Sequence, residues 1–268
     1  MAAIHLPRAM RIGAGTLDEL PQALAQFGLS RPLIVTDSWM AASGVLDRVE
    51  AILTAAGMEP RAFTGVVPDP TVTSVEAATA FLRDGDHDCV IGLGGGSSID
   101  TAKVVAVKAA RDVPITALKA PHQEDAPALP IIAIPTTAGT GSEATRVTVI
   151  TDAEADEKML CMGLAYLPTL AILDYELTLT KPARLTADTG IDSLVHAVEA
   201  YVSVRANPFS DAAALSAMRL IWPNLPLACA DPGNRPAREA LMLGALQGGI
   251  AFSNASVALV HGMSRPIG

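Results

Sequence analysis

The sequence predicts an α/β domain built around a parallel sheet, followed by an all-α domain. Short β-branched runs alternate with amphipathic helical stretches as far as Asp174, which is the pattern of a parallel sheet with flanking helices. After Lys181-Pro182 the β-branched runs stop and alanine-rich helical periodicity takes over. We therefore predict two domains, residues 1–180 and 181–268, with the boundary near residue 180.

The predicted strands are short aliphatic runs, and the predicted helices repeat apolar residues with helical spacing. Strands are expected at 32–36, 89–93, 131–135, 147–150 and 171–173. Helices of the first domain are expected at 16–27, 45–56, 74–84 and 99–110, and a polar loop at 121–127. Helices of the second domain are expected at 187–205, 208–221 and 235–246, with further helical periodicity toward Met263.

The composition indicates a globular chain that can bury a sizeable core, since half of the 268 residues are hydrophobic. Lys and Arg total 19 against 28 Asp and Glu, a net charge of −9 without a basic block, so we expect no nucleic-acid partner. The scattered Cys89, Cys161 and Cys229 predict buried free thiols in a reducing compartment. Because the sequence shows neither a signal peptide nor a membrane span, we expect a cytoplasmic protein without a membrane partner.

Three consecutive glycines, Gly94, Gly95 and Gly96, follow the predicted strand at 89–93 and precede Ser97 and a helix. The first turn of such a helix offers unpaired backbone N–H groups at the positive end of the helix dipole. Glycine also lets the backbone approach a phosphate closely. We interpret the segment as a cradle for a pyrophosphate. An ordinary strand-to-helix turn is the alternative, although one glycine would suffice for it.

A second loop, residues 136–143, follows the predicted strand at 131–135 and consists almost entirely of small or hydroxyl residues. Hydroxyl donors at a strand end, here Thr136, Thr137 and Thr140, suit phosphate and ribose oxygens. The alternative is a turn closed by local bonds from side chain to backbone. Two such loops in one domain favour a nucleotide site.

Asp37 lies just beyond the carboxyl end of its predicted strand. A carboxylate there can accept hydrogen bonds from a ribose diol and repel a 2′-phosphate, which favours NAD over NADP. A helix N-cap before Ser38 is the alternative role.

Asp192 and His196 are spaced i and i+4, which places them on one face of a helix beside an apolar stripe. Two metal ligands can converge there, and a hydrogen-bonded Asp-His pair is the alternative. His261 follows the largely apolar stretch 251–260, so we expect it at an interior cleft. It is either a third ligand or a core histidine whose ring nitrogens are hydrogen-bonded.

Taken together, these motifs resemble the iron-containing (group III) alcohol dehydrogenases. The resemblance runs from Leu33 to the last residue, and also includes Asp100, Lys103 and a Pro68-Asp69-Pro70-Thr71 segment similar to the family's loop over the cofactor. It implies a dehydroquinate-synthase-like fold, in which an N-terminal α/β domain binds NAD(P). A helical domain would bind a divalent metal, and the chemistry would occur between the two.

The resemblance also implies roles for individual residues. Asp37 would contact the adenosine ribose, and Asp69 would lie in the loop over the cofactor. The pyrophosphate would be bound by Gly95, Gly96 and Ser97. The phosphates and the nicotinamide side would be contacted by Thr136, Thr137 and Thr140, and Lys158 would be a further cofactor contact. For Lys158, a charged turn in a surface loop is the alternative. Asp192, His196 and His261 would be metal ligands, and catalytic through the metal. Fe²⁺ is favoured by the resemblance, while oxygen and imidazole ligands also allow Zn²⁺.

The sequence departs from the family at its end. Relatives usually carry a further histidine ligand downstream, and many have a histidine where this chain has Arg265. Because the segment 264–268 reads as the middle of a motif, we expect a truncated chain with an incomplete helical domain.

The expected reaction is reversible hydride transfer between an alcohol and its aldehyde or ketone, with NAD as the acceptor. Same-fold alternatives are a reductase of unsaturated keto acids such as maleylacetate reductase, a polyol dehydrogenase and a dehydroquinate-synthase-like lyase. Anionic substrates would need Lys or Arg side chains that face the cleft. A further alternative, from a different functional class, is an inactive chain that only binds NAD. We expect a homo-oligomer, with a dimer as the simplest form.

Overall fold

The computed structural model describes residues 2–264. Its first part is a six-stranded parallel sheet in the order β1-β8-β5-β4-β2-β3. The strands of this sheet are β1 (Ala9–Ile12), β2 (Pro32–Asp37), β3 (Arg61–Val66), β4 (Cys89–Gly94), β5 (Ile131–Pro135) and β8 (Leu170–Leu173). Between β5 and β8 the chain forms a separate antiparallel hairpin of β6 (Val147–Asp152) and β7 (Glu157–Met162).

Helices cover both faces of the sheet. They are α1 (Leu20–Ala25), α2 (Ser38–Ala42), α3 (Val45–Ala55), α4 (Val72–Arg83) and α5 (Gly96–Ala110). Leucines of α1 and α3 pack against one face, whereas apolar side chains of α4 and α5 pack against the other. Every residue of β4, β5 and β8 is buried, as expected for parallel strands covered on both faces. The predicted α/β architecture of this part is confirmed.

The observed strands differ from the prediction in two respects. The run at 147–150 is a strand, but it pairs with β7 in the hairpin and not with the parallel sheet. The edge strands β1 and β3 were not predicted, because each has a partly exposed, mixed composition in place of an aliphatic run. The helix expected at 16–27 divides into a 3₁₀ turn at Thr16–Glu19 and the short helix α1.

The second part is helical and contains α6 (Ala183–Val202), α7 (Pro208–Ala230), α8 (Arg235–Asn254) and α9 (Leu259–Ser264). Two glycines allow these helices to approach closely. A Cβ at Gly190 would clash with Leu225 Cδ1, and one at Gly244 would lie 2.6 Å from Ile221 Cγ1. Within residues 2–264, none of the helices combines the length and apolarity needed to cross a bilayer.

The parallel sheet places the predicted nucleotide loops side by side. The carboxyl ends of parallel strands share one edge of a sheet, which is where ligands of open α/β sheets bind. Asp37 ends β2, the glycine segment follows β4, and the threonine loop follows β5. The Thr136 N–H donates to the Gly94 carbonyl at 2.9 Å, which ties the two loops together.

Candidate active site

A cavity of about 590 Å³ lies between the α/β part and the helices. Gly96, Ser97 and Thr140 line one side of it. Asp192, His196 and His261 line the same cavity, so the predicted phosphate segment and the predicted metal ligands face one space. A volume of this size is in the range of small-molecule and cofactor sites.

The glycine segment leaves the start of helix α5 open. Gly95 is the N-cap, and the structure shows no side chain capping this end of α5, so its first N–H groups are free for a ligand. A Cβ at Gly96 would lie 2.9 Å from Thr140 Cγ2. The Ser98 hydroxyl is buried without a hydrogen-bond partner in the described part of the chain. This geometry suits a phosphate group at the positive end of the helix dipole.

The three predicted threonines occupy different environments. Thr140 lines the large cavity, whereas Thr137 lines a separate small crevice. A Cβ at Gly95 would lie 3.6 Å from Thr137 Oγ1. Thr136 is buried and lines neither space, and its observed contact is the bond to Gly94.

Both interpretations of Asp37 fit the structure, because its two carboxylate oxygens have different neighbours. Oδ1 accepts a hydrogen bond from the Met40 N–H at 2.8 Å and caps α2. Oδ2 would lie 3.8 Å from a Cβ at Gly94. One oxygen therefore holds the helix, while the other faces the turn where a phosphate cradle is predicted.

Lys158 lies on strand β7 and not in a turn. Its Nζ lies 3.3 Å from Asp69 Oδ1, and both residues line the large cavity. The contact joins the loop before α4 to the hairpin. The turn that the charged sequence indicates ends two positions earlier, at Asp156, which has a positive φ of 50°.

A buried charge network fixes the loops around the cavity. Asp100 of α5 accepts from Ser142 Oγ at 2.5 Å and from the Val149 N–H at 2.9 Å. Lys103 Nζ donates to the Thr145 carbonyl at 3.0 Å and to the Val147 carbonyl at 2.8 Å. The network therefore connects α5 with both the threonine loop and the hairpin.

Glu143 is the third charged member of this network. Burial raises its pKa to about 7, and burial lowers the pKa of Lys103 to about 8. Burial also raises the pKa of Asp100, against the attraction of Lys103. One buried ammonium cannot neutralise two buried carboxylates. Asp100 has the stronger set of donors, so Glu143 is the carboxyl that retains a proton near neutral pH.

Asp192, His196 and His261 converge in the cavity. Each offers one ligand atom, and these atoms lie within 4.8 Å of one another. The His196 ring is stacked between Phe252 and His261, with centroid distances of 4.3 Å to each. Its Nδ1 is buried without a hydrogen-bond partner among the described residues. One carboxylate oxygen and two imidazole nitrogens, with the His196 imidazole carrying the unpartnered Nδ1, are a donor set that fits a divalent transition metal.

The pKa values of the two histidines in this group are shifted in opposite directions. Burial lowers the pKa of His196 to about 4, against the attraction of Asp192, which leaves a neutral imidazole able to donate its lone pair. The hydrogen bond with Asp192 raises the pKa of His261. Burial opposes ionisation of Asp192, but the two histidines hold its pKa below the usual range.

Glu199 is a site residue that the sequence analysis missed. It is buried on α6, and its Oε2 lies 2.5 Å from His261 Nδ1. Its Oε1 accepts from the Val260 N–H at 2.5 Å. The signal available in the sequence was its spacing, seven residues after Asp192 and three after His196, on the same helical face. Arg265, the position at which many relatives have a histidine, lies outside the described residues.

The two parts of the chain match two family models. The model described as iron-containing alcohol dehydrogenase matches residues 7–175, and the C-terminal model of the Fe-containing alcohol dehydrogenase family matches residues 186–268. The NAD-dependent methanol dehydrogenase of Bacillus methanolicus is 39% identical over 268 residues, covering 100% of this chain and 70% of that protein.

Solved structures show the same likeness. A 1,3-propanediol oxidoreductase superposes with a TM-score of 0.96 at 37% identity, covering 100% of this chain and 70% of the other. Sulfoacetaldehyde reductase from Bifidobacterium kashiwanohense, solved in complex with NAD+, superposes with a TM-score of 0.92 at 32% identity, covering 100% and 71%.

Proposed function

We propose that this chain, which belongs to the iron-containing alcohol dehydrogenase family, catalyses reversible hydride transfer between an alcohol and its aldehyde or ketone with NAD as the acceptor. The observation that carries the proposal is the shared cavity, because an open phosphate-binding helix terminus and a metal-binding donor set face one space. Catalysis of this kind needs cofactor, substrate and Lewis acid in contact.

The cofactor would lie along the carboxyl edge of the sheet. The N–H groups at Gly95, Gly96 and Ser97 would hold its pyrophosphate, with Thr137 beside Gly95 and Thr140 beside Gly96. The free Oδ2 of Asp37 would accept from the adenosine ribose and disfavour a 2′-phosphate. The Lys158–Asp69 contact would close over the nicotinamide side. Thr136 would act through its bond to Gly94, by keeping the two loops together.

The metal would be held by Asp192, His196 and His261, with Fe²⁺ favoured by the family and Zn²⁺ allowed by the donor set. When bound, it supplies Lewis acidity that stabilises an alkoxide. Glu199 fixes the ring of His261 through Nδ1 and leaves Nε2 directed toward Asp192. Phe252 packs on His196 and lines the cavity with Leu160 and Val257, so these apolar side chains exclude water from the substrate carbon.

A same-fold reaction on an anionic substrate is the second candidate. Arg146 and Arg205 line the cavity, and neither guanidinium is paired with a carboxylate of residues 2–264. Such side chains recognise carboxylates. A simple alcohol remains the first choice because Phe252, which packs on the predicted ligand His196, gives the cavity an apolar surface next to the metal-binding group. Comparing a short primary alcohol with a hydroxy acid of the same length separates the candidates.

We also propose a domain division, a cellular location and an oligomeric state for this chain. The matched ranges, 7–175 and 186–268, support a division into a cofactor domain and a metal domain near residue 180. The buried free thiols of Cys89 and Cys161 support a reducing, cytoplasmic location, while Cys229 is only partly buried. Exposed edge strands and large exposed side chains such as Trp222 support a homo-oligomer, with a dimer as the simplest form.

The proposal is tested by metal content and by NADH formation from a panel of short alcohols. The purified chain should contain about one equivalent of divalent metal and reduce NAD+ with at least one alcohol. His196→Ala should lose both properties, whereas His122→Ala, at an exposed position that does not line the cavity, should keep both. Metal content unchanged in His196→Ala would remove the proposed ligand set, and NAD+ binding without turnover would favour an inactive cofactor-binding chain.

A further inference from the structure

Lys181 and Trp39 form a contact that the proposed chemistry does not use. Trp39 lies in the first turn of α2, two residues after Asp37. The Lys181 Nζ lies 3.9 Å from the centroid of the Trp39 ring, a cation–π arrangement. The residues come from opposite ends of the α/β part, so the contact is made only in the folded chain.

The lysine ammonium is unusually placed. Lys181 is 7% exposed, and its Nζ makes no hydrogen bond or ion pair within residues 2–264. Burial lowers its pKa to about 8, partly offset by the charge of Asp37. Its backbone is fixed by the Thr178 carbonyl and by Arg238. An ammonium has three donors, so this one is held in place with its hydrogen-bonding capacity unused.

The position of this pair relates it to the cofactor edge. Lys181 lines the small crevice that also contains Thr137, and Thr137 adjoins Gly95. The large cavity, which contains the metal-binding donor set, is lined by Gly96 and Ser97 and is separate from this crevice. If the pyrophosphate is centred on the glycine segment and the nicotinamide end enters the large cavity, the adenosine end extends toward Asp37, Trp39 and Lys181.

The crevice itself cannot hold the base, because its volume of about 10 Å³ is room for only about one water molecule. The available surface is the indole of Trp39, which is 51% exposed while Lys181 covers part of it. An aromatic ring with an open face is the usual platform for stacking a nucleobase.

We propose that Trp39 stacks on the adenine of the cofactor and that Lys181 holds the indole in place while donating to the adenosine. Trp39 is then a specificity-determining residue for the adenine half of the dinucleotide, and Asp37 recognises the neighbouring ribose. This inference rests on the proposed function, because it assumes that the glycine segment binds the cofactor's pyrophosphate.

Tryptophan fluorescence tests the proposal directly, since the chain has only two tryptophans. The second, Trp222 on α7, is 73% exposed. In the Trp222→Phe variant, Trp39 is the single fluorophore, and titration with 5′-AMP or NAD+ should quench its emission. Nicotinamide mononucleotide, which lacks adenine, should leave the emission unchanged.

Binding constants from calorimetry provide the second readout. Trp39→Leu should raise the Kd for 5′-AMP about tenfold and leave that for nicotinamide mononucleotide unchanged. The matched variant Trp222→Leu should bind both ligands as the wild type does. Lys181→Met should weaken 5′-AMP binding, and Lys181→Arg should largely retain it, because arginine also supports a cation–π contact.

The outcomes separate this proposal from the proposed function. Equal 5′-AMP affinity of Trp39→Leu and wild type, with NAD+ still bound, would overturn the stacking role alone. An equal loss of affinity for nicotinamide mononucleotide would show a general structural defect and would overturn it as well. Absence of NAD+ binding by the wild-type chain would overturn both proposals. Trp39→Phe, which keeps a smaller ring, should give an intermediate Kd for 5′-AMP. It provides the comparison if Trp39→Leu fails to fold.

Discussion

Glu199 Oε2 lies 2.5 Å from His261 Nδ1, which joins two residues that are 62 positions apart in the chain. Glu199 also accepts from the Val260 N–H, so one carboxylate anchors both the backbone and the ring of α9. Burial opposes the ionisation of Glu199, but these bonds hold its pKa below the usual range. The contact sets the direction in which His261 Nε2 faces Asp192.

Glu199→Gln should therefore weaken metal binding by about 10- to 100-fold, as loss of a carboxylate that orients a ligand histidine usually does. Competition with a chelator measures the effect. Glu239→Gln, a substitution at an exposed position on α8, is the matched control and should leave the affinity unchanged. Equal chelator midpoints for the two variants would contradict an orienting role for Glu199.

Gly95→Ala should fold normally and lose cofactor affinity. The new Cβ would meet only Thr137, at the ordinary distances of 3.6 and 3.8 Å, and the φ of −78° suits alanine. A phosphate against this turn would meet the methyl group, so the Kd for NAD+ should rise roughly tenfold or more, equivalent to about 1.4 kcal/mol.

Calorimetric titration with NAD+ measures this loss, and the thermal unfolding midpoint verifies the fold. Gly233→Ala, in the loop between α7 and α8, is the control and should bind NAD+ as the wild type does. Normal NAD+ affinity of Gly95→Ala would place the pyrophosphate elsewhere.

Lys158→Met should raise the KM for NAD+ roughly tenfold, because a charge-assisted hydrogen bond contributes about 1.5–3 kcal/mol. Its partly exposed ion pair with Asp69 should contribute little to stability, so the unfolding midpoint should change little. Steady-state kinetics at saturating alcohol measure the KM. Lys119→Met, which breaks the neighbouring contact with Glu157 outside the cavity, should leave it unchanged. A KM that rises equally in both variants would indicate distortion of the hairpin.

Glu143 should make a contribution to the stability of the wild type that falls as pH rises from about 4.5 through about 7. Burial raises the pKa of this carboxyl from 4.5 to about 7, so the folded state binds the proton more tightly than the unfolded chain. The stabilising contribution is present at low pH and is lost as the pH rises through the folded pKa.

Glu143→Gln should remove this contribution and leave the opposite contribution of His196, which both proteins share. The unfolding midpoint of the variant, relative to that of the wild type, should increase by several degrees as the pH rises from about 5 to about 8. Measurements below pH 8 avoid the opposite contribution of Lys103, whose lowered pKa of about 8 restores stability only as the pH rises further. Glu154→Gln in the exposed hairpin turn is the control. Parallel curves for wild type and Glu143→Gln would show that Glu143 is ionised throughout.

The sequence predicted the interior strands well and the edge strands poorly. The run at 131–135 coincides with β5, because a strand buried on both faces must be aliphatic throughout. β3 contains Arg61, Thr64 and Gly65 at positions of partial or full exposure, so its composition does not distinguish it from a loop. Pairing with β2 alone makes it a strand.

By itself, the sequence determined which local segments carry chemistry: the glycine segment after β4, and Asp192 with His196 on one face of a helix. Both depend on spacing within a few residues, which backbone geometry fixes locally. Only the tertiary structure decided how these segments meet. Glu199 reaches His261, and Lys181 reaches Trp39, because packing of the helices and the sheet brings together residues that are distant in the chain. No local pattern encodes such contacts, since they depend on the packing of the whole molecule.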